Sequence, residues 1–174
     1  MNESAGQGVR DAAWSGLVIG PGEGRTIPGT DAITLIATTE QTGGSIGASE
    51  DVSSPGDGAP RHVHHGSDEL YYLLEGEFRI LVGERQQRVS AGTYVFVPRG
   101  TIHAYKVIGT ERRRVLSAFV PGGPELAFEE FVELRTEGGE VNRSVRQGRS
   151  VAQMNEMFAQ INEKYDSEFV GSPL

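Results

Sequence analysis

Residues 56–76 read GDGAPRHVHHGSDELYYLLEG and contain three of the four histidines in the chain. His62 and His64 are two positions apart, so their side chains lie on one face of a β-strand. Glu69 follows at an odd offset, which would place it on the opposite face of a straight strand. A turn or bulge at Gly66 would reset this alternation. The stretch therefore predicts two imidazoles and a carboxylate that face the same interior.

The remaining histidine that could join this cluster is His103. The chain contains no cysteine, which excludes disulfides, thiolate zinc sites and thiol catalysis. A metal site must therefore use imidazole and carboxylate ligands, which suit divalent first-row metals. The predicted ligands are His62, His64, Glu69 and His103, with Glu69 acting as a ligand or as a base beside the metal. His65 has the wrong parity, and we expect it to be exposed or hydrogen-bonded at the turn.

The composition restricts the class of protein. A chain of 174 residues suits one domain with a buried core. The longest apolar run, LYYLL, is too short to span a bilayer. A net charge of −8 disfavours nucleic acid or an anionic membrane as a partner. The polar N-terminus MNESAGQGVR lacks the apolar segment of a secretory signal, and we expect a cytoplasmic protein.

Short apolar runs separated by glycine and proline extend from Ile33 to about Val120 and predict many β-strands. Between EFRILV and RQQRV, the two-residue loop Gly83-Glu84 favours a type II′ turn. After PGGP at 121–124, ELAFEEFVELR has the spacing of a helix.

A second helix is predicted from Ser150, which has capping-box spacing to Gln153. Its apolar stripe comprises Val151, Met154, Phe158, Ile161 and Tyr165 and should pack on another element. The last residues, EFVGSPL, read as extended. The predicted organisation is a disordered tail (1–12), a β-barrel (13–121) and a helical extension packed on the barrel (122–174). Strands followed by helices indicate an all-β barrel or sandwich with helical additions.

Strand alternation also predicts which side chains line a pocket above the metal. The candidates are Tyr71, Leu73, Phe78, Ile80, Tyr94, Phe96, Tyr105 and Val107, each of which also fits an ordinary core position. An apolar, partly aromatic pocket suits a planar organic substrate better than a sugar.

The quoted stretch resembles the first sequence motif of the cupins. In this motif, Gly56 is followed by five residues and His62, and His64 comes after one further residue. Four residues then precede Glu69, and six more precede Gly76.

Residues 92–103 resemble the second cupin motif. Gly92 is followed by five residues and Pro98, and Gly100 and His103 complete the pattern. The family often has asparagine four residues after this histidine, where this chain has Val107. The departure makes the surroundings of the site less polar.

The resemblance implies a jelly-roll β-barrel with a metal held inside by His62, His64, Glu69 and His103, and it favours a homodimer. Flanking segments such as GEGRTI, FEEFVEL and YDSEFVGSPL resemble single-domain quercetin-dioxygenase-like cupins. That likeness implies a dioxygenase that uses dioxygen and a small aromatic or enolic substrate, with Glu69 accepting the proton of a substrate hydroxyl.

Two alternatives remain open at the level of sequence. One is a non-redox isomerase or lyase in which the metal is a Lewis acid. The other is a cupin that binds a small ligand without turnover, since one barrel supports many chemistries. The ligand types do not separate iron, manganese, nickel, cobalt, copper and zinc.

Overall fold

The computed structural model describes residues 16–27, 32–134 and 151–174. The tail predicted over 1–12 and the capping serine at 150 lie outside these ranges. The strands are β1 (Arg25–Thr26), β2 (Ile33–Ala37), β3 (Gly47–Ser53), β4 (Gly58–His64), β5 (Asp68–Glu75), β6 (Glu77–Val82), β7 (Arg85–Ser90), β8 (Tyr94–Val97), β9 (His103–Ile108), β10 (Arg113–Val120) and β11 (Ser167–Phe169). A 3₁₀-helix (Pro124–Leu126) leads into α1 (Ala127–Leu134), and α2 spans Val151–Lys164.

The strands form two antiparallel sheets, in the orders β1-β2-β3-β10-β5-β8 and β11-β4-β9-β6-β7. Alternate side chains from both sheets meet between them. The buried core comprises Tyr71, Leu73, Phe78, Ile80, Val97 and Val115. This arrangement confirms the predicted all-β jelly roll, in which each strand contributes one face to the interior.

Two glycines shape the turns. A type II′ turn requires a positive φ at the first of its two central residues only. Gly83 has φ +58° and Glu84 does not have a positive φ, so the loop between β6 and β7 fits the predicted turn. Gly76 has φ +77°, and a Cβ atom there would lie 2.6 Å from the carbonyl oxygen of Arg112. Only glycine fits this position without strain.

The C-terminal segment returns to the barrel. Strand β11 pairs with β4, and Ser167 lies opposite His64 while Phe169 lies opposite His62. The extended C-terminal residues are thus part of a sheet. Helix α2 packs on α1, with Ala127 and Ile161 buried between them. Of the predicted stripe, Phe158 and Tyr165 join this contact, while the side chains at 151 and 154 lie outside the described part of the chain.

No helix in the ranges 16–27, 32–134 and 151–174 is long and apolar enough to cross a membrane.

Candidate metal centre

The four predicted ligands come from two sheets. His64 ends β4, and His62 lies opposite His103 in the antiparallel pairing of β4 with β9. Glu69 lies on β5, in the other sheet. A bend at His65 and the next residue separates β4 from β5, so that Glu69 faces the histidines. The reset of strand alternation predicted from the sequence is confirmed.

The ligand atoms of these four residues all lie within 4.8 Å of one another. Oε2 of Glu69 lies 2.7 Å from Nε2 of His103 and 3.3 Å from Nε2 of His64. The ring centroids of His62 and His103 are 4.0 Å apart. The cluster is almost fully buried, and the His64 side chain, at 11%, is its most exposed member. His65 lies outside the cluster with a half-exposed side chain, as predicted.

Backbone carbonyls fix the orientation of two imidazoles. Nδ1 of His62 lies 2.8 Å from the Pro60 carbonyl oxygen, and Nδ1 of His103 lies 3.0 Å from the Thr101 carbonyl oxygen. A carbonyl only accepts, so each Nδ1 carries the donated proton. Each Nε2 is then directed into the cluster. This arrangement is the one found around histidines that bind metals through Nε2.

The charge states of His62 and Glu69 also fit a cation. Burial and the neighbouring His103 lower the pKa of His62 to about 4, so His62 is a neutral imidazole at pH 7. Burial opposes a charge on Glu69, but hydrogen bonds from His103 and His64 outweigh it and hold the pKa of Glu69 well below its usual range. Burial likewise opposes a charge on His103, whose pKa is nevertheless raised by the bond to Glu69. The residues fit a divalent metal bound by three imidazoles and one carboxylate.

A cavity of about 250 Å³ adjoins the cluster. His62, His64 and Glu69 lie in its wall, and among the predicted pocket residues Tyr71 and Tyr105 line it. The predicted residues Leu73, Phe78, Ile80 and Val107 are buried in the core of the barrel and are not among the residues lining the cavity.

The assignment of Tyr94 and Phe96 to the pocket is wrong. Their side chains are 58% and 48% exposed, whereas Val97 is buried. Every residue of the segment YVFV is apolar, so the pattern did not distinguish the inner from the outer face of β8. The structure places Val95 and Val97 inside.

The cavity contains residues that the sequence analysis did not identify. Its remaining lining includes Asp51, Ser117, Phe119, Phe128, Phe131, Tyr165, Ser167 and Phe169. Alternation along β10 would have identified Ser117 and Phe119 as inward-facing. No local pattern marks Asp51. The residues of α1 and β11, and Tyr165 just after α2, reach the cavity only through tertiary packing.

The fold and the cluster together make the chain a jelly-roll β-barrel with a buried candidate metal site of three histidines and one glutamate. Residues 52–119 match the model of the cupin domain. That match contains all four residues of the cluster and supports the resemblance of the two sequence motifs to the cupins.

The individual proteins that the chain resembles match it over only part of their length. The chain is 33% identical over 103 residues to quercetin 2,3-dioxygenase of Bacillus subtilis, over 58% of this chain and 30% of that protein. It is 30% identical over 95 residues to the tetracenomycin polyketide synthase protein TcmJ of Streptomyces glaucescens, over 55% of this chain and 62% of that protein. The chain thus spans less than two thirds of either relative.

Among solved structures, the chain is similar to a predicted oxalate decarboxylase from Thermotoga maritima, with a TM-score of 0.49 and 20% identity. That match covers 56% of this chain and 88% of the other.

Proposed function

We propose that this chain is a metal-dependent dioxygenase that acts on a small aromatic or enolic substrate. The observation that carries the proposal is a buried cluster of three histidines and one glutamate that opens onto a cavity with aromatic walls. The sequence similarity to a quercetin dioxygenase and to a polyketide synthase protein supports it. The substrate is a small organic molecule, and dioxygen is the second substrate.

The cavity suits a flat, apolar ring. Phe119 and Phe128 are tilted against each other with ring centroids 6.1 Å apart, and Phe131 stacks on Phe169 at the same distance. These rings exclude water and offer flat surfaces for an aromatic ligand. A bound divalent metal would supply Lewis acidity and, if redox-active, electron transfer to dioxygen.

Glu69 is the proposed acceptor of the substrate hydroxyl proton. Its Oε2 faces the imidazoles of His64 and His103, so it lies where a substrate hydroxyl beside the cluster would arrive. Its low pKa makes it a weak base while these hydrogen bonds persist. The role therefore requires Glu69 to exchange the bond with His103 for one with the substrate.

Oxygen uptake tests the proposal. Full-length chain would be loaded separately with iron(II), manganese(II), nickel(II), cobalt(II), copper(II) or zinc(II) and mixed with flavonols and smaller enols. We expect oxygen consumption with a redox-active metal, and none in the His62→Ala/His64→Ala variant. His65→Ala is the matched control because it removes a neighbouring histidine outside the cluster. Metal-loaded chain that consumes no oxygen with any of these substrates would contradict the proposal.

The Glu69→Gln variant tests the proposed base. We expect it to retain metal but lose most oxygen uptake, because the amide cannot accept the proton. Full activity in this variant would remove Glu69 from the proposed chemistry while leaving the dioxygenase proposal in place.

A further inference from the structure

A layer of polar side chains crosses the inner face of the barrel beyond the metal centre. Ser49 on β3, Ser117 on β10 and Tyr71 on β5 lie directly opposite one another in the sheet. Ser117 is two residues along β10 from Phe119, which pairs with Glu69. Two residues of strand span about 7 Å, so this layer forms the deep end of the cavity.

Asp51 is the charged member of this deep end. Its Oδ2 accepts hydrogen bonds from the hydroxyls of Ser117 at 3.1 Å and Ser49 at 3.4 Å. Its Oδ1 is buried and has no hydrogen-bond partner in the described part of the chain. Because leaving a buried carboxylate oxygen without a donor destabilises the fold, such an atom indicates a missing partner.

The positive charge of Arg113 favours the ionised form of this carboxylate. Its side chain is 1% exposed, and its guanidinium carbon lies 4.4 Å from the centroid of the Tyr105 ring. Burial raises the pKa of Asp51 to about 6, while the positive charge of Arg113 opposes the rise. Asp51 is therefore mostly ionised at pH 7.5 and only accepts hydrogen bonds.

The cavity is consequently amphipathic. Its outer walls carry aromatic rings from β10, α1 and β11, and its deep end carries Asp51, Ser117, Tyr71 and Tyr105. A volume of about 250 Å³ accommodates one ring or two fused rings.

We propose that Oδ1 of Asp51 receives a hydroxyl group of the ligand, so that the cavity selects hydroxylated aromatic rings over rings that carry only carbonyl oxygens. A hydroxyl donates the hydrogen bond that Oδ1 lacks, whereas a carbonyl would place two acceptors against each other. The inference deepens the proposed function, on which its substrate class rests.

The expected selectivity follows from the free energy of the hydrogen bond between the ligand hydroxyl and Oδ1. A hydrogen bond to a charged group contributes about 1.5–3 kcal/mol, which corresponds to roughly tenfold or more in affinity. A site built to bind a hydroxyl rejects the analogue that lacks it, because the buried acceptor is then left unpaired.

The test uses three small probes and the full-length chain loaded with zinc, which does not reduce dioxygen. The affinities of 2-naphthol and naphthalene would be measured by fluorescence titration at pH 7.5, and that of 1-tetralone by displacement of naphthalene. We expect 2-naphthol to bind about tenfold more tightly than either other probe.

Asp51→Asn is the decisive variant. Ser49 and Ser117 would hold the amide oxygen in place of Oδ2, so the NH₂ group would replace Oδ1 and turn an acceptor into a donor. We expect the preference for 2-naphthol over 1-tetralone to fall at least tenfold. An unchanged preference in a folded variant would overturn the proposal and leave Asp51 a hydrated structural carboxylate.

Two further measurements locate the bound hydroxyl. The preference should persist in metal-free chain; a preference that needs zinc would mean that the hydroxyl binds the metal, and it would overturn the proposal. If Asp51→Asn does not fold, nuclear Overhauser contacts of bound 2-naphthol with Ser117 support the orientation, and contacts confined to Phe131 overturn it. Because no turnover is measured, these results are independent of oxygen uptake.

Discussion

Oγ of Ser167 lies 2.7 Å from Nδ1 of His64, although the two residues are 103 positions apart in the chain. The pairing of β11 with β4 places them opposite each other. The Ser167 hydroxyl donates to the carbonyl oxygen of Tyr165 at 3.1 Å, so its oxygen accepts the Nδ1 proton of His64. Strand β11 thereby orients one of the candidate metal ligands, and the candidate metal centre depends on a segment far from its other residues in the sequence.

Replacing Ser167 should weaken metal binding. Removal of a partner that orients a metal-binding histidine typically lowers metal affinity about 10–100-fold. We expect Ser167→Ala to lower zinc affinity about tenfold, measured by competition with a chromophoric chelator at pH 7.5.

The controls separate orientation from general damage to the C-terminal segment. Ser167→Thr keeps a hydroxyl and should retain most of the affinity, while Ser172→Ala removes an exposed serine of the same segment. Equal zinc affinity in Ser167→Ala and Ser172→Ala would show that this hydrogen bond does not support the site.

Metal content checks the ligand assignment directly. Purified chain should contain about one divalent metal per molecule by plasma mass spectrometry, because the four ligand atoms lie within 4.8 Å of one another. His62→Ala/His64→Ala should lose it, and His65→Ala should retain it. Absence of metal from all three chains, including wild type grown with added metals, would contradict the assignment.

The sequence predicted the four members of the candidate metal cluster because their signal is local and chemically rare. Three of the four histidines in the chain belong to the two motifs, which leaves few other combinations. Strand alternation determined the face on which His62 and His64 lie. The strands from Ile33 to Val120 were likewise predicted, since turn residues separate apolar runs.

The cavity was predicted less well because its walls are assembled by tertiary contacts. Tyr94 and Phe96 were misplaced, since β8 is apolar on both faces. Phe169 and Ser167 reach the cavity through the pairing of β11 with β4, which no local pattern encodes. Asp51 lies on the polar strand β3, and the pairing of this strand in the sheet determines which of its side chains face the interior.

Glu125 should be essential for stability. Its buried carboxylate accepts hydrogen bonds from the backbone and hydroxyl of Thr39 and from the backbone of Gly123, and it lies against Gly47. Removing it leaves buried donors without a partner, so Glu125→Ala should lower the free energy of unfolding by about 3 kcal/mol. Urea denaturation would measure this, with exposed Glu156→Ala as the control; similar small losses in both variants would contradict the expectation.

The homodimer implied by the family resemblance remains a prediction, and the outer face of the six-stranded sheet offers a surface for it. β8 is an edge strand, and the exposed side chains of Tyr72, Tyr94, Phe96 and Leu116 lie on this face. A second copy would cover the same apolar patch and the same open edge on both molecules. Sedimentation velocity should show a dimer that Phe96→Glu disrupts, whereas Val18→Glu, at an exposed apolar residue elsewhere, should not. A wild-type monomer at all concentrations would contradict this.

Asp51 should destabilise the metal-free fold at neutral pH. Its folded pKa, about 6, lies above the reference value of 3.8, so between these values the folded chain binds a proton that the unfolded chain has lost. Stability therefore falls as pH rises from about 4 to 6. Two pH units correspond to about 3 kcal/mol, so the stability of Asp51→Asn relative to wild type should rise by up to that amount between pH 4 and pH 8.

Urea denaturation of both metal-free chains at a series of pH values would measure the change. The comparison largely cancels the titration of Glu69, His62 and His103, which both chains retain. If the difference in the free energy of unfolding between the two chains does not vary with pH, burial does not raise the pKa of Asp51. A rising difference, together with lost probe selectivity, would show that this carboxylate is kept for binding at a cost in stability.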